Sequence, residues 1–146
     1  MKAIYFDMDG TLADLYNVSG WLDSLHASDP SPYMVARPML HFSTLARLLN
    51  VLQHKGYVLG VISWLAKNAD ENYNTAVTIA KTAWLKRHLP SVHWNEITIV
   101  PYGTPKEEVA SFPDGILFDD NELIRKAWSG TAYDVDNIIE ILKGLK

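Results

Sequence analysis

Apolar residues fall along the chain in two alternating rhythms, short unbroken runs and longer stripes of helical period. The first run, Ala3-Ile4-Tyr5-Phe6, reads as a buried strand that stops on Asp7. From 14 to 37 the character is mixed: Val18, Trp21, Leu22 and Leu25 keep helical spacing, and Ser28-Asp29-Pro30-Ser31-Pro32 signals a loop. After Pro38 a helix is expected, with Leu45, Leu48, Leu49 and Leu52 at i, i+3, i+4 and i+7 and a stop at Gly56. Residues 57–62 form a continuous apolar run, as in a strand covered on both faces, and end at Ser63. The helical period returns from about Ala69 to His88, with Tyr73, Val77, Ala80 and Trp84 on one side and Pro90 beyond. Ile97–Val100 and Gly115–Phe118 supply two further strands, the latter running into Asp119-Asp120-Asn121. A helix carrying Leu123, Ile124, Ala127 and Trp128, a short strand near 131–133 and a helix with Val135, Ile138, Ile139 and Leu142 complete the pattern. Strand and helix alternate throughout, which predicts a parallel sheet with helices on both faces: a three-layer α/β/α Rossmann-like domain.

With 146 residues, 48% of them hydrophobic, the chain can bury one sizeable core, so a single domain spanning 1–146 is expected. The net charge of −4 argues against general nucleic-acid binding and leaves room for a small phosphate ester held by local groups. The absence of cysteine rules out disulfides and thiolate zinc sites and suits a reducing compartment. The apolar run before Asp7 is too brief for a signal-peptide core, and no segment approaches membrane-spanning length. A soluble, cytoplasmic protein with no membrane partner is expected.

Three of the predicted strands end in polar groups. Asp7 and Asp9 lie two apart, so extended geometry aims both at one spot, where they repel unless a cation or a shared proton intervenes. Taken alone, Asp-x-Asp-Gly also serves calcium loops and plain turns, Ser63 could simply terminate its strand, and Lys106 could be a solvated lysine, with Lys86 its competitor within a helix. Asp119 and Asp120 are adjacent, so strand alternation points them to opposite faces. In an open α/β sheet, groups at the carboxyl ends of different strands converge on one edge. The five histidines show no metal-binding spacing, and neither a nucleophile elbow nor a glycine-rich phosphate loop is present.

Asp7-Met8-Asp9-Gly10-Thr11-Leu12, behind its apolar strand, resembles motif I of the haloacid dehalogenase-like (HAD) superfamily of phosphohydrolases. Ser63 resembles motif II, Lys106 motif III, and Asp119-Asp120 the adjacent-acid form of motif IV. The resemblance implies Mg²⁺-dependent hydrolysis of a phosphate monoester, with Asp7 as nucleophile forming an aspartyl-phosphate and Asp9 as general acid and base. It implies phosphate binding at Gly10, Thr11, Ser63, Trp64 and Lys106. For the metal it implies Asp7, Asp9 through its backbone carbonyl, and Asp120 as direct ligand, with Asp119 supporting. Segment 14–37 falls where the family carries its flap and one class of cap insertion, and is too short for a folded cap domain. The stretch Lys81 to Pro90 is similar to the 5'(3')-deoxyribonucleotidase branch, which favours a small nucleotide or deoxynucleotide 5'-monophosphate as substrate. Two alternatives stand beside it: a larger substrate such as a polynucleotide 3'-phosphate or a phosphoprotein, and a non-catalytic phosphate- or metal-binding module. Trp21, Tyr33 and Met34 are candidates to close over a ligand, and Arg37 and Lys67 to reach its phosphate.

Overall fold

Residue alternation along the first strand decides the layering. In the computed structural model, which describes residues 2–146, β1 (Ala3–Phe6) is buried along its whole length. Ile4 and Phe6 face one apolar layer, Ala3 and Tyr5 the other. β2 (Val58–Trp64), β3 (Glu96–Val100), β4 (Ile116–Phe118) and β5 (Thr131–Tyr133) complete a sheet of order β3-β2-β1-β4-β5 in which every pairing is parallel.

The first layer is built by α3 (Phe42–His54), the C-terminal part of α4 (Glu71–His88) and α7 (Ile138–Leu145). Leu45, Leu48, Leu49 and Leu52 of α3 pack with Trp84 and Leu85 of α4 and Leu142 of α7 against Ile4 and Phe6. The second layer holds α5 (Lys106–Val109) and α6 (Glu122–Ala127), where Ile124 and Trp128 pack on Tyr5. Right-handed crossovers require this division, because the chain steps outward from β1 to β2 and β3 and then returns to β1's other edge as β4. The carboxyl ends of β1 and β4 therefore flank the point where the strand order reverses, the crevice in which such sheets hold ligands.

The three-layer parallel architecture is the expected one, with shifted boundaries. β2 runs two residues past Ile62, because Ser63 and Trp64 stay paired with Ile99 and Val100 of β3. β3 starts at Glu96, whose carboxylate accepts the Tyr5 hydroxyl at 2.7 Å and adds a polar tether to the apolar run. α4 begins at Glu71 because the Asp70 carboxylate accepts the Tyr73 amide at 2.7 Å and caps it. Segment 14–37 forms a 3₁₀ turn (Leu15–Asn17), α1 (Trp21–His26) and α2 (Ser31–Val35). Its ends meet, the Asp14 amide donating to the Arg37 carbonyl at 2.8 Å. The Trp84 indole pins its far end by donating to the Ala36 carbonyl at 2.8 Å. No helix among the described residues is long and apolar enough to cross a membrane.

Candidate active site

β1 ends at Phe6, and the Asp7 amide donates to Phe118 of β4 at 2.9 Å, so the first acid of the Asp-x-Asp pair is seated between the two strands at the crevice. The chain then turns tightly, the Met8 carbonyl accepting from the Leu12 and Ala13 amides at 2.9 Å each. The turn needs φ +82° at Gly10, and a Cβ there would collide with the Asp120 carboxylate and the Tyr16 ring. Glycine thus lets motif and carboxylate approach.

Lys106, the first residue of α5, points its fully buried ammonium between two of these acids. Nζ donates to Asp7 Oδ1 at 2.9 Å and to Asp119 Oδ2 at 2.8 Å. Burial opposes its charge, but the two carboxylates outweigh burial and hold its pKa above the ordinary lysine value. The other oxygens of the pair are also engaged: Thr11 Oγ1 donates to Asp7 Oδ2 at 3.2 Å, and the Asn121 amide donates to Asp119 Oδ1 at 2.9 Å. Asp7, Asp119 and Asp120 each offer an oxygen within 4.8 Å of the others. The alternation expected for Asp119 and Asp120 does not apply, because β4 ends at Phe118 and the backbone beyond it is no longer strand. Crowding has an electrostatic signature: burial first, then the Asp7 carboxylate, push Asp119 up to about 6 and Asp120 up to about 8. A hard oxygen donor set that resists full ionisation without added positive charge fits a divalent cation such as Mg²⁺.

Asp9 has a different partner, Lys81, which sequence reasoning passed over. Lys81 is fully buried, and its ammonium lies 2.8 Å from Asp9 Oδ2 while donating to Ser63 Oγ at 2.7 Å and to the Trp64 carbonyl at 2.9 Å. Burial raises the Asp9 pKa and Lys81 opposes that rise. A signal was present, because Lys81 stands four residues after Val77 and three before Trp84, squarely on the apolar stripe of α4. Lys86 is exposed on the same helix, away from the site.

Above these groups lies a cavity of about 370 Å³, lined by Asp7, Asp9, Ser63, Trp64, Lys106, Asp119 and Asp120 at its floor. Its walls are aromatic. Trp64 and Tyr102 have ring centroids 5.0 Å apart on one side, and Tyr16 and Trp21 are 5.1 Å apart edge to face on the other. The Trp64 indole donates to the Thr104 carbonyl at 2.7 Å, which fixes the ring beside Lys106. Tyr33 also lines the cavity but is buried among Leu15, Leu65, Tyr73 and Val77, whereas Met34 is half exposed and outside the lining. Lys67 reaches the rim, its ammonium 6.0 Å from the Tyr102 ring, and Arg37 is exposed outside the lining.

Fold and crevice together define a doubly wound α/β/α domain with acids at the strand-order reversal. No family model and no curated protein sequence matches the chain. Among solved structures it is similar to the D,D-heptose 1,7-bisphosphate phosphatase from Burkholderia thailandensis, with a TM-score of 0.57 at 13% identity over 99% of this chain and 97% of that one. It is also similar to the enzyme of that name from B. bronchiseptica, complexed with magnesium and phosphate, with a TM-score of 0.51 at 14% identity over 87% of this chain and 74% of that one. At such identities the likeness is one of fold.

Proposed function

We propose that the protein is a Mg²⁺-dependent phosphomonoesterase of HAD type that hydrolyses a small ester, a nucleoside or deoxynucleoside 5'-monophosphate. The observation that carries this reading is the buried Lys106 ammonium bridging Asp7 and Asp119 beside Asp120, beneath an open cavity. A non-catalytic module has no need of a second acid, Asp9, held on a separate lysine. Both phosphatases of similar fold act on a phosphorylated sugar, and one binds magnesium and phosphate.

In this mechanism an Asp7 carboxylate oxygen attacks phosphorus in line, forming the Asp7–phosphorus bond as the ester phosphorus–oxygen bond breaks. Asp9 gives its proton to the departing alkoxide. It then takes a proton from water as that water attacks the aspartyl-phosphate, which frees inorganic phosphate and restores both acids. Such acid and base assistance is worth about 10²–10⁴-fold. Lys106 offsets the charge of Asp7 through both steps, and Ser63 and Trp64 with the Gly10-Thr11 turn receive the phosphoryl oxygens. Asp7, Asp120 and the Asp9 carbonyl would hold the cation. Asp119, which accepts from Lys106 through Oδ2 and from the Asn121 amide through Oδ1, serves as the anchor of Lys106. When bound, the metal supplies positive charge that draws the anionic phosphoryl group to Asp7.

The aromatic walls offer ring faces on which the base of a nucleoside leaving group can stack. Lys67 and Lys106 are the lysines of the lining, which contains no arginine. A polynucleotide or phosphoprotein would be drawn by a broader basic surface than this acidic chain carries. The test is a panel of nucleoside monophosphates, sugar phosphates, phosphopeptides and 3'-phosphorylated DNA, assayed with Mg²⁺ and with excess EDTA. Turnover of nucleoside monophosphates above the other classes, lost in EDTA and restored by metal, is the expected result. Turnover indifferent to EDTA overturns the metal assignment, and preference for another class overturns the substrate.

A further inference from the structure

Lys81 takes no part in the reaction just described, yet its burial is complete and its surroundings are built for it. We propose that Lys81 is a positioning residue for the acid–base half of the site, a three-way anchor that fixes the Asp9 carboxylate and the Ser63 hydroxyl relative to each other. An ammonium sealed from water is stable only where its protons meet acceptors, and Lys81 finds three oxygens within 2.9 Å: Asp9 Oδ2, Ser63 Oγ and the Trp64 carbonyl. These belong to the loop after β1 and the last two residues of β2, so one side chain of α4 locks both strand ends together. The Tyr33 ring of α2, 5.1 Å from the ammonium, packs against it from segment 14–37.

Two consequences bear on chemistry. Ser63 Oγ spends acceptor capacity on Lys81, which leaves its own O–H to donate into the cavity, the polarity a phosphoryl oxygen requires. Asp9 is tied back by Oδ2, which leaves Oδ1 to exchange a proton with the ester oxygen. The two buried lysines therefore divide the work, Lys106 serving the nucleophile and Lys81 the acid. A guanidinium cannot replace Lys81, because its planar fork does not match three acceptors arranged about one nitrogen.

This inference rests on the phosphatase reading, and the experiment separates the two. Wild type and Lys81→Met are compared by kcat/KM, which reports steps up to loss of the leaving group, on 4-nitrophenyl phosphate and on an alkyl monophosphate. The nitrophenolate leaves without a proton and the alkoxide does not. The variant is expected to lose activity on both esters through the misplaced Ser63 hydroxyl, and about 10²-fold more on the alkyl ester, which alone needs the proton of Asp9. Equal losses on both esters, as a merely structural lysine would give, or no loss on either, overturn the proposal. Lys81→Arg, which keeps the charge should Lys81→Met fold poorly, is expected to show the same selective loss, and a wild-type ratio overturns the three-way anchor. If wild type hydrolyses neither ester the phosphatase reading fails, and the crystal structure of the variant still decides the anchor. Asp9 and Ser63 are expected to separate there, and their unchanged placement overturns it.

Discussion

Asp7 and Asp9 stand two residues apart and answer to different lysines, one on α5 and one on α4. Their substitutions should therefore differ in kind. Asp7→Asn is expected to abolish the covalent phosphoenzyme detected by mass spectrometry after a rapid quench. Asp9→Asn is expected to slow its formation and decay by about 10²-fold or more while leaving it detectable. Gly10→Ala forces a strained φ and drives a methyl into Asp120, so activity should fall sharply with only a modest loss of thermal stability, measured side by side. Asp7, Asp9, Ser63, Lys106, Asp119 and Asp120 were legible because five of them close an apolar run and Lys106 opens a helix just before one, and the structure gathers all six at one cavity. Lys81 was only half legible: its place on the apolar stripe of α4 marks it as buried, but not which groups it meets there. Only the docking of α4 against β2 seals it, and that is a tertiary fact.

At the scale of elements, α4 joins the core, segment 14–37 and the site. His88, in its last turn, is wedged between Trp84 and Phe42 with a buried Nε2 that finds no partner. Burial, and then Arg87, depress its pKa below the ordinary 6.5. The unfolded chain thus takes up a proton that the folded one resists. The contribution of His88 to stability is complete above 6.5 and declines as the pH falls below it. His88→Leu should narrow the fall in Tm between about pH 8 and about pH 5.5, read by differential scanning calorimetry. In segment 14–37, Trp21 is partly exposed and Tyr33 is packed. Trp21→Ala is expected to raise KM for nucleotides more than for a small alkyl phosphate with Tm little changed. Tyr33→Ala should cost about 3 kcal/mol of stability. The helical spacing of Val18, Trp21, Leu22 and Leu25 pointed to one helix, whereas the chain makes two short ones and a 3₁₀ turn. Elements this short are held by their neck and by Trp84, contacts that no local pattern encodes.

For the whole molecule, the layer order was legible because the central strands β1, β2 and β4 are essentially continuous apolar runs and the helices of the first layer carry apolar stripes. Strand order was not, since it depends on crossovers between segments distant in sequence. On the proposed reading, the acids at the sheet's reversal point make the fold's stability depend on metal. Saturating Mg²⁺ should raise Tm, by roughly 2.7 kcal/mol of stabilisation at a hundredfold excess over Kd. Asp120→Asn should raise Tm in EDTA by relieving the crowding with Asp7 and should blunt the response to Mg²⁺. A metal-independent Tm in wild type would remove the cation from the site.

The central place of β1 also imposes a schedule on biosynthesis. β1 leaves the ribosome before β2, β3 and β4, yet one of its edges is completed only by Ile116–Phe118. Between the release of Trp64 and that of Phe118, at roughly 5–20 residues per second, about 3–11 s pass in which β1 can be paired along one edge alone. Lys106 emerges within that interval, ahead of Asp119, and can meet Asp7 first. The nascent chain thus carries an unpaired strand edge beside a half-assembled acid cluster, and the last strand to dock there closes both at once.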